Sequence, residues 1–204
     1  MLGRGLRLVS LLLGLLLALT SCGPRALSPQ AYQDLVIKAL QGAALEKDLL
    51  PLPGLIPSIK RVFDSLYCPQ YECVFPSEME YAAMMADRGL GEIAAYRARI
   101  CGNKGLRPPR ELRSSHEQLC KGLDRIRADT DAIKITAQMA AQVLTQAKGE
   151  PEALERAARS YSAKIMERKG AIIEALRELR EIEWLGPVFA GVESQIPELG
   201  TEME

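Results

Sequence analysis

The chain has 204 residues, of which 48% are hydrophobic, and its 26 basic residues balance 26 acidic ones. This length and apolar content suffice for one domain with a buried core. A net charge of zero argues against a nucleic-acid-binding protein, because such proteins usually carry a strongly basic face.

The first 21 residues have the three parts of a secretory signal. Arg4 and Arg7 form a basic start, an apolar run covers residues 8–19, and small residues lead to Cys22. The run is shorter than the ~20 residues that a membrane-spanning helix needs, so it favours a signal over a transmembrane anchor. Removal of residues 1–21 leaves 183 residues with 24 basic and 26 acidic side chains, a net charge of −2.

The residues before the cysteine, Leu19-Thr20-Ser21-Cys22, resemble the lipobox of bacterial lipoproteins. The resemblance covers the leader alone. It implies that a signal peptidase cuts before Cys22 and that this thiol carries a diacylglyceryl group, so that membrane lipid is the first partner. The expected location is the extracytoplasmic face of the cell membrane or outer membrane, with residues 22–28 as a lipidated tether. The alternative is an ordinary secretion signal with an incidental cysteine.

Four further cysteines suggest disulfides, because an exported chain meets an oxidising compartment. They are Cys68, Cys73, Cys101 and Cys120, and three pairings are possible. Zinc is the alternative, because His116 lies one helical turn before Cys120 and these residue types suit that metal. The chain lacks a C-x-x-C pair, so we predict two disulfides, no metal and no cofactor.

The spacing of apolar residues predicts an all-α antiparallel bundle of about four helices over residues 29–187. Ser28-Pro29 marks the start of a helix over 29–49, and a short second helix runs into Cys68. A capping box at Ser77 and Glu80 predicts a helix over 78–101.

Two long helices follow and form a hairpin. Apolar residues alternate at steps of four and three from Leu112 to Ala147, a heptad pattern that also suits a coiled coil. The helix could begin at Pro109 or at Ser114 and runs to about 148. Gly149 and Pro151 separate it from the last helix, which is expected to stop near Gly186-Pro187. Residues 188–204 are acidic and predicted to be loose.

Six basic residues crowd one end of this hairpin and could bind an anion. Such a cluster could contact phospholipid head groups or an anionic wall polymer, although charge runs are usually solvated surface. The six are Arg97, Arg99, Lys104, Arg107, Arg110 and Arg113.

Three further groups of residues are candidate sites. His116, the single histidine, lies on the apolar seam, and the hairpin register offers Glu183 as its carboxylate. Thr130 and Arg168 fall in one layer, which could fix register or hold an anion. An apolar ligand pocket is the third possibility, and its candidate residues are Met84, Met85, Tyr67, Tyr71 and Tyr96.

No arrangement of residues typical of a catalytic site is evident, so we predict no catalytic residue. The predicted function is that of a membrane-anchored, non-enzymatic binding or scaffold module of the cell envelope, which engages an anionic envelope component or another envelope protein. The alternatives are a carrier or holdase for an apolar ligand, and an enzyme with a site around His116.

Overall fold

The structure is a computed structural model that describes residues 27–43, 52–66, 75–102 and 106–200. Within these ranges it is helical and contains no strand. The helices pack against one another around a shared hydrophobic core. The prediction of an all-α antiparallel bundle with a long C-terminal hairpin is confirmed.

Five α-helices lie in the described ranges. They are α1 (Pro29–Leu40), α2 (Leu55–Ser65), α3 (Pro76–Cys101), α4 (Arg113–Gln146) and α5 (Pro151–Arg180). Short 3-10 helices cover Arg110–Leu112, Glu183–Val188, Val192–Ser194 and Pro197–Leu199.

The first helix begins where the sequence predicts and ends earlier. The Ser28 hydroxyl accepts a hydrogen bond from the Ala31 N–H at 3.2 Å, and Pro29 takes the first helical position. The prediction of a helix to residue 49 is wrong, because α1 ends at Leu40. Gly42 follows with φ of +83°, and a Cβ there would lie 2.2 Å from the Leu52 carbonyl oxygen. The chain can therefore turn here only with glycine.

The third helix starts two residues before its predicted position. Phe75 is the N-cap and Pro76 the first helical residue, so Ser77 lies inside the first turn and the predicted capping box is wrong. Proline suits this position because its fixed φ is helical and its missing N–H would have no partner there. The predicted end at Cys101 is confirmed.

The long hairpin is slightly shorter than predicted. A 3-10 turn leads into α4 at Arg113, close to the later of the two possible starts, and α4 ends at Gln146. Gly149, with φ of +104°, makes the turn into α5. That helix ends at Arg180, and 3-10 turns continue the chain beyond it.

Helix α4 lies at the centre of the bundle, with α3 and α5 antiparallel to it on either side. Ion pairs fix the α3–α4 register: Arg97 Nε lies 2.8 Å from Asp124, and Lys134 Nζ lies 2.6 Å from Asp87. Arg168 binds Asp129 at 3.2 Å across the α4–α5 hairpin. These pairs are exposed enough that each adds little stability, so the buried seam holds the helices together.

Helix α2 covers one half of α3 and runs antiparallel to it. At its start the Gly54 N–H donates to the Tyr96 hydroxyl at 2.8 Å. Towards its end Val62 packs on Gly89, where an added Cβ would lie 2.4 Å from Val62 Cγ2. The absence of a side chain at Gly89 therefore allows the two helices to approach closely.

This close approach gives a prediction with a matched control on the same helix. Gly89→Ala is expected to lower the free energy of unfolding by roughly 1–3 kcal/mol through overpacking. Gly91 has open space around its Cβ position, so Gly91→Ala is expected to raise stability by about 0.5–1 kcal/mol through helix propensity. Urea unfolding followed by circular dichroism measures both, and a stabilising Gly89→Ala would contradict the α2–α3 contact.

The C-terminal segment is ordered where the sequence predicts a loose acidic tail, and that prediction is wrong for residues 188–200. Its apolar side chains enter the core, among them Val188, Phe189, Val192, Ile196 and Leu199. Basic residues of α5 pair with acidic residues of the C-terminal segment. Lys169 Nζ lies 2.7 Å from Glu198, and Arg180 lies 2.7 Å from Glu193. The hydrogen bond from Lys169 lowers the pKa of the Glu198 carboxyl.

Candidate functional site

A disulfide closes the end of the bundle where α3 finishes and α4 begins. Cys101 is the last residue of α3, and Cys120 lies two turns into α4. The two cysteines are bonded, with their Cα atoms 5.8 Å apart and a sequence separation of 19. This is one of the pairs that the sequence left open. Cys68 and Cys73 lie outside the described residues.

His116 lies beside this bridge, and each of its ring nitrogens has a neighbour. Nε2 is 3.4 Å from Cys120 Sγ, one helical turn further along α4. Nδ1 makes a hydrogen bond with the hydroxyl of Tyr32, a fully buried residue of α1. The histidine thus connects the disulfide to the first helix.

Burial sets the protonation of this cluster. It raises the pKa of Tyr32 to about 12, so the hydroxyl keeps its proton at neutral pH. Burial also lowers the pKa of His116, opposed by the nearby charge of Glu117. A neutral ring that accepts from Tyr32 at Nδ1 carries its proton on Nε2, which faces the sulfur.

An aromatic wall completes the site. The Trp184 ring lies edge-on to Tyr32, with centroids 6.2 Å apart, and is supplied by the 3-10 turn after α5. The sequence-based interpretation identified neither the contact of Tyr32 with His116 nor that of Trp184 with Tyr32. It named Glu183 instead, which is exposed. The apolar spacing of α1 indicates that Tyr32 faces the core, but no local pattern indicates which residue it contacts.

The predicted anion-binding residues divide into two groups. Arg97 makes two hydrogen bonds to Asp124, at 2.8 and 3.2 Å, and Arg99 is half-buried. Arg107, Arg110 and Arg113 are exposed and lie within seven residues of chain at the start of α4. Lys104 lies outside the described residues. Among the described residues of the cluster, the three exposed arginines are therefore the ones most open to an anion.

The polar layer predicted in the hairpin does not form a cavity between its two named residues. Arg168 binds Asp129 at 3.2 Å, so the predicted register is right within one residue. Thr130 is buried, and its hydroxyl donates to the Ile126 carbonyl at 2.7 Å within the same helix. Its methyl group lies near Gly89, which indicates a packing role.

The residues predicted to line an apolar pocket differ in their exposure to solvent. Met84 is 55% exposed, Tyr96 is buried, and Tyr67 and Tyr71 lie outside the described residues. A groove of about 820 Å³ does pass Met84 between α3 and α4, and it is open to solvent. Its walls include Glu80, Asp87, Lys134, Gln138 and Gln142, so an apolar guest would meet many polar groups.

No known protein family matches the chain, and comparisons with curated proteins and with solved structures found no match. In the ranges that the structure describes, every helix is too short or too polar to cross a membrane.

Proposed function

We propose that this chain is a bacterial lipoprotein that acts as a non-enzymatic binding or scaffold module of the cell envelope. It is exported, cut before Cys22 and held by lipid on the extracytoplasmic face of the cell membrane or outer membrane. The lipobox residues 19–22 are the observation that carries the proposal. The Cys101–Cys120 bridge is compatible with an oxidising compartment.

The position of α1 supports an orientation in which the disulfide end of the bundle faces the membrane. Six residues separate Cys22 from Pro29, the start of α1, and six residues extend at most ~20 Å. Tyr32 of α1 contacts His116, so the anchor lies close to the disulfide end. The 34 residues of α4 extend ~50 Å at ~1.5 Å per residue, which directs the turn at Gly149 away from the lipid.

Arg107, Arg110 and Arg113 are at the same end as this tether and are exposed. A basic residue close to an anionic membrane surface contributes about 1 kcal/mol of attraction. In this arrangement, the arginines bind anionic lipid head groups or an anionic envelope polymer, while the distal helices remain free to engage another envelope protein.

The anchor is tested by two adjacent substitutions in the leader. Cys22→Ser protein from which the leader has been cut is expected in the soluble fraction and not on washed membranes, because the acceptor thiol for the lipid is lost. Ser21→Ala keeps a small residue before the cysteine and is expected to remain membrane-bound. Cell fractionation with immunoblotting measures the distribution, and washes in high salt remove protein that is held by charge alone.

Mass spectrometry of the membrane-bound protein gives the decisive outcome. The proposal predicts an amino terminus at Cys22 with a diacylglyceryl adduct, and two acyl chains or more give stable anchoring. A parent protein with an intact leader and no lipid would refute it, as would Cys22→Ser protein that has lost its leader and stays bound after the salt wash.

The other two functions receive less support from the described residues. An apolar carrier would need an enclosed apolar cavity, whereas the large groove beside Met84 is open to solvent and has polar and apolar walls. An enzyme around His116 would need a carboxylate or nucleophile at its ring, and the contacts there are Tyr32 and Cys120.

A further inference from the structure

Three residues with metal-binding side chains meet at the disulfide end of the bundle. The sulfur atoms of Cys101 and Cys120 and a ring nitrogen of His116 all lie within 4.8 Å of one another. We propose that reduction of the Cys101–Cys120 bridge turns this cluster into a zinc site with two thiolate ligands and one imidazole ligand. The site does not depend on the lipid anchor at Cys22.

The spacing suits tetrahedral zinc. Zinc binds thiolate sulfur at ~2.3 Å and imidazole nitrogen at ~2.0–2.1 Å, which places neighbouring ligand atoms about 3.5–4 Å apart. His116 Nε2 already lies 3.4 Å from Cys120 Sγ. Small side-chain rotations, without movement of the helices, would bring all three atoms around one ion. The three residues are half-buried, so water can reach the fourth position.

Tyr32 supplies the support that zinc-bound histidines usually have. Such a histidine donates its other N–H to a hydrogen-bond acceptor, which fixes the ring. The Tyr32 hydroxyl already contacts His116 Nδ1 and can accept from it when the hydroxyl rotates. Nε2 is then free to bind the ion on the side where the sulfurs lie.

The helices that carry the two cysteines have other contacts to hold them once the bridge opens. Arg97 pairs with Asp124 across α3 and α4 close to the bridge, which favours the native register but adds little stability. Ile100 and Leu119, the neighbours of the two cysteines in sequence, are both fully buried. The ligands are therefore expected to remain close together in the reduced protein.

The reaction balances with an external dithiol as the reductant. The dithiol transfers two electrons and two protons to the bridge and becomes a disulfide, which leaves Cys101 and Cys120 as thiols. Zinc then displaces one proton from each thiol, while neutral His116 loses none. Two protons are released for each ion bound.

The test uses the full chain in detergent with Cys68→Ser and Cys73→Ser. Apart from Cys22, reduction then yields two thiols, those of Cys101 and Cys120. A phosphine reduces the bridge and is removed without oxygen, and Co²⁺ is added as a spectroscopic substitute for Zn²⁺. We expect one equivalent of Co²⁺ to bind with thiolate charge-transfer absorption in the near ultraviolet, and Zn²⁺ to displace it. The oxidised protein is expected to show none of this absorption.

Variants separate this site from binding by two thiols alone. His116→Ala is expected to weaken Zn²⁺ binding more than tenfold, and Tyr32→Phe by about tenfold through loss of the hydrogen bond to the ring. Gln118→Ala, an exposed and uncharged position between His116 and Cys120, is the control and should bind as the parent does. Equal affinity of the parent and His116→Ala would overturn the proposal.

If reduction lowers the helix content of the chain, circular dichroism shows whether Zn²⁺ restores it. A reduced chain that regains its helices on addition of Zn²⁺ supports the site, because the metal then stabilises the folded form. A reduced chain that binds no Zn²⁺, whether folded or unfolded, overturns it.

Discussion

Phe189→Ala is expected to lower the free energy of unfolding by about 3–5 kcal/mol, the range for removal of a buried phenylalanine. Phe189 is 4% exposed and lies in the segment after α5 that composition predicts to be loose. Its ring belongs to the same hydrophobic core as the helices. Removal of the ring leaves a cavity in that core, which adds to the loss of buried apolar surface.

Phe75→Ala is the matched control for this prediction. Phe75 precedes α3 and is 64% exposed, so the same substitution there is expected to change stability by less than about 0.5 kcal/mol. Urea unfolding followed by circular dichroism compares the two variants with the parent chain. Equal and small effects would mean that the C-terminal segment is not packed on the core.

The helices of the hairpin could be predicted from sequence because their burial follows a single period. Leu119, Leu123, Ile126, Thr130 and Ile133 recur at steps of four and three, and all five are buried. The C-terminal segment lacks this period because its 3-10 turns place apolar residues irregularly. Its acids also find their cations on α5, which no local count of charge could reveal.

The candidate site was harder to predict because its parts come from four separate segments of the chain. Helical spacing predicts that His116 and Cys120 share a face, and the structure confirms this. Tyr32 contacts His116, and Trp184 contacts Tyr32, because α1 packs on the turn after α5. That placement depends on tertiary packing, about which the helical period contains no information.

The basic cluster divides into a paired arginine and three exposed ones, and this division also depends on how the helices pack. Arg97 lies one turn before Cys101, where the antiparallel register brings Asp124 of α4 within hydrogen-bond distance. Arg107, Arg110 and Arg113 lie where the chain passes from the connection into α4, and they remain exposed. The register between helices, more than the number of charges in the sequence, therefore decides which arginines an anion can reach.

Removal of the Cys101–Cys120 bridge is expected to destabilise the fold by about 3 kcal/mol. The bridge closes a loop of 19 residues in sequence separation, and cross-linking a loop of this size restricts the unfolded chain by about that amount. The double variant Cys101→Ser, Cys120→Ser should therefore unfold at a lower urea concentration than the oxidised parent. Urea unfolding without reductant measures the difference.

A reductant supplies the control for the remaining cysteines. In the double variant, reductant can change the free energy of unfolding only through Cys68 and Cys73. That change is subtracted from the change that reductant causes in the parent. The corrected loss in the parent should equal the loss caused by the two substitutions, because both measure the same bridge. A double variant as stable as the oxidised parent would mean that helix packing alone holds α3 against α4. The bridge would then add no stability, and any role for the two cysteines would have to lie in their chemistry as free thiols beside His116.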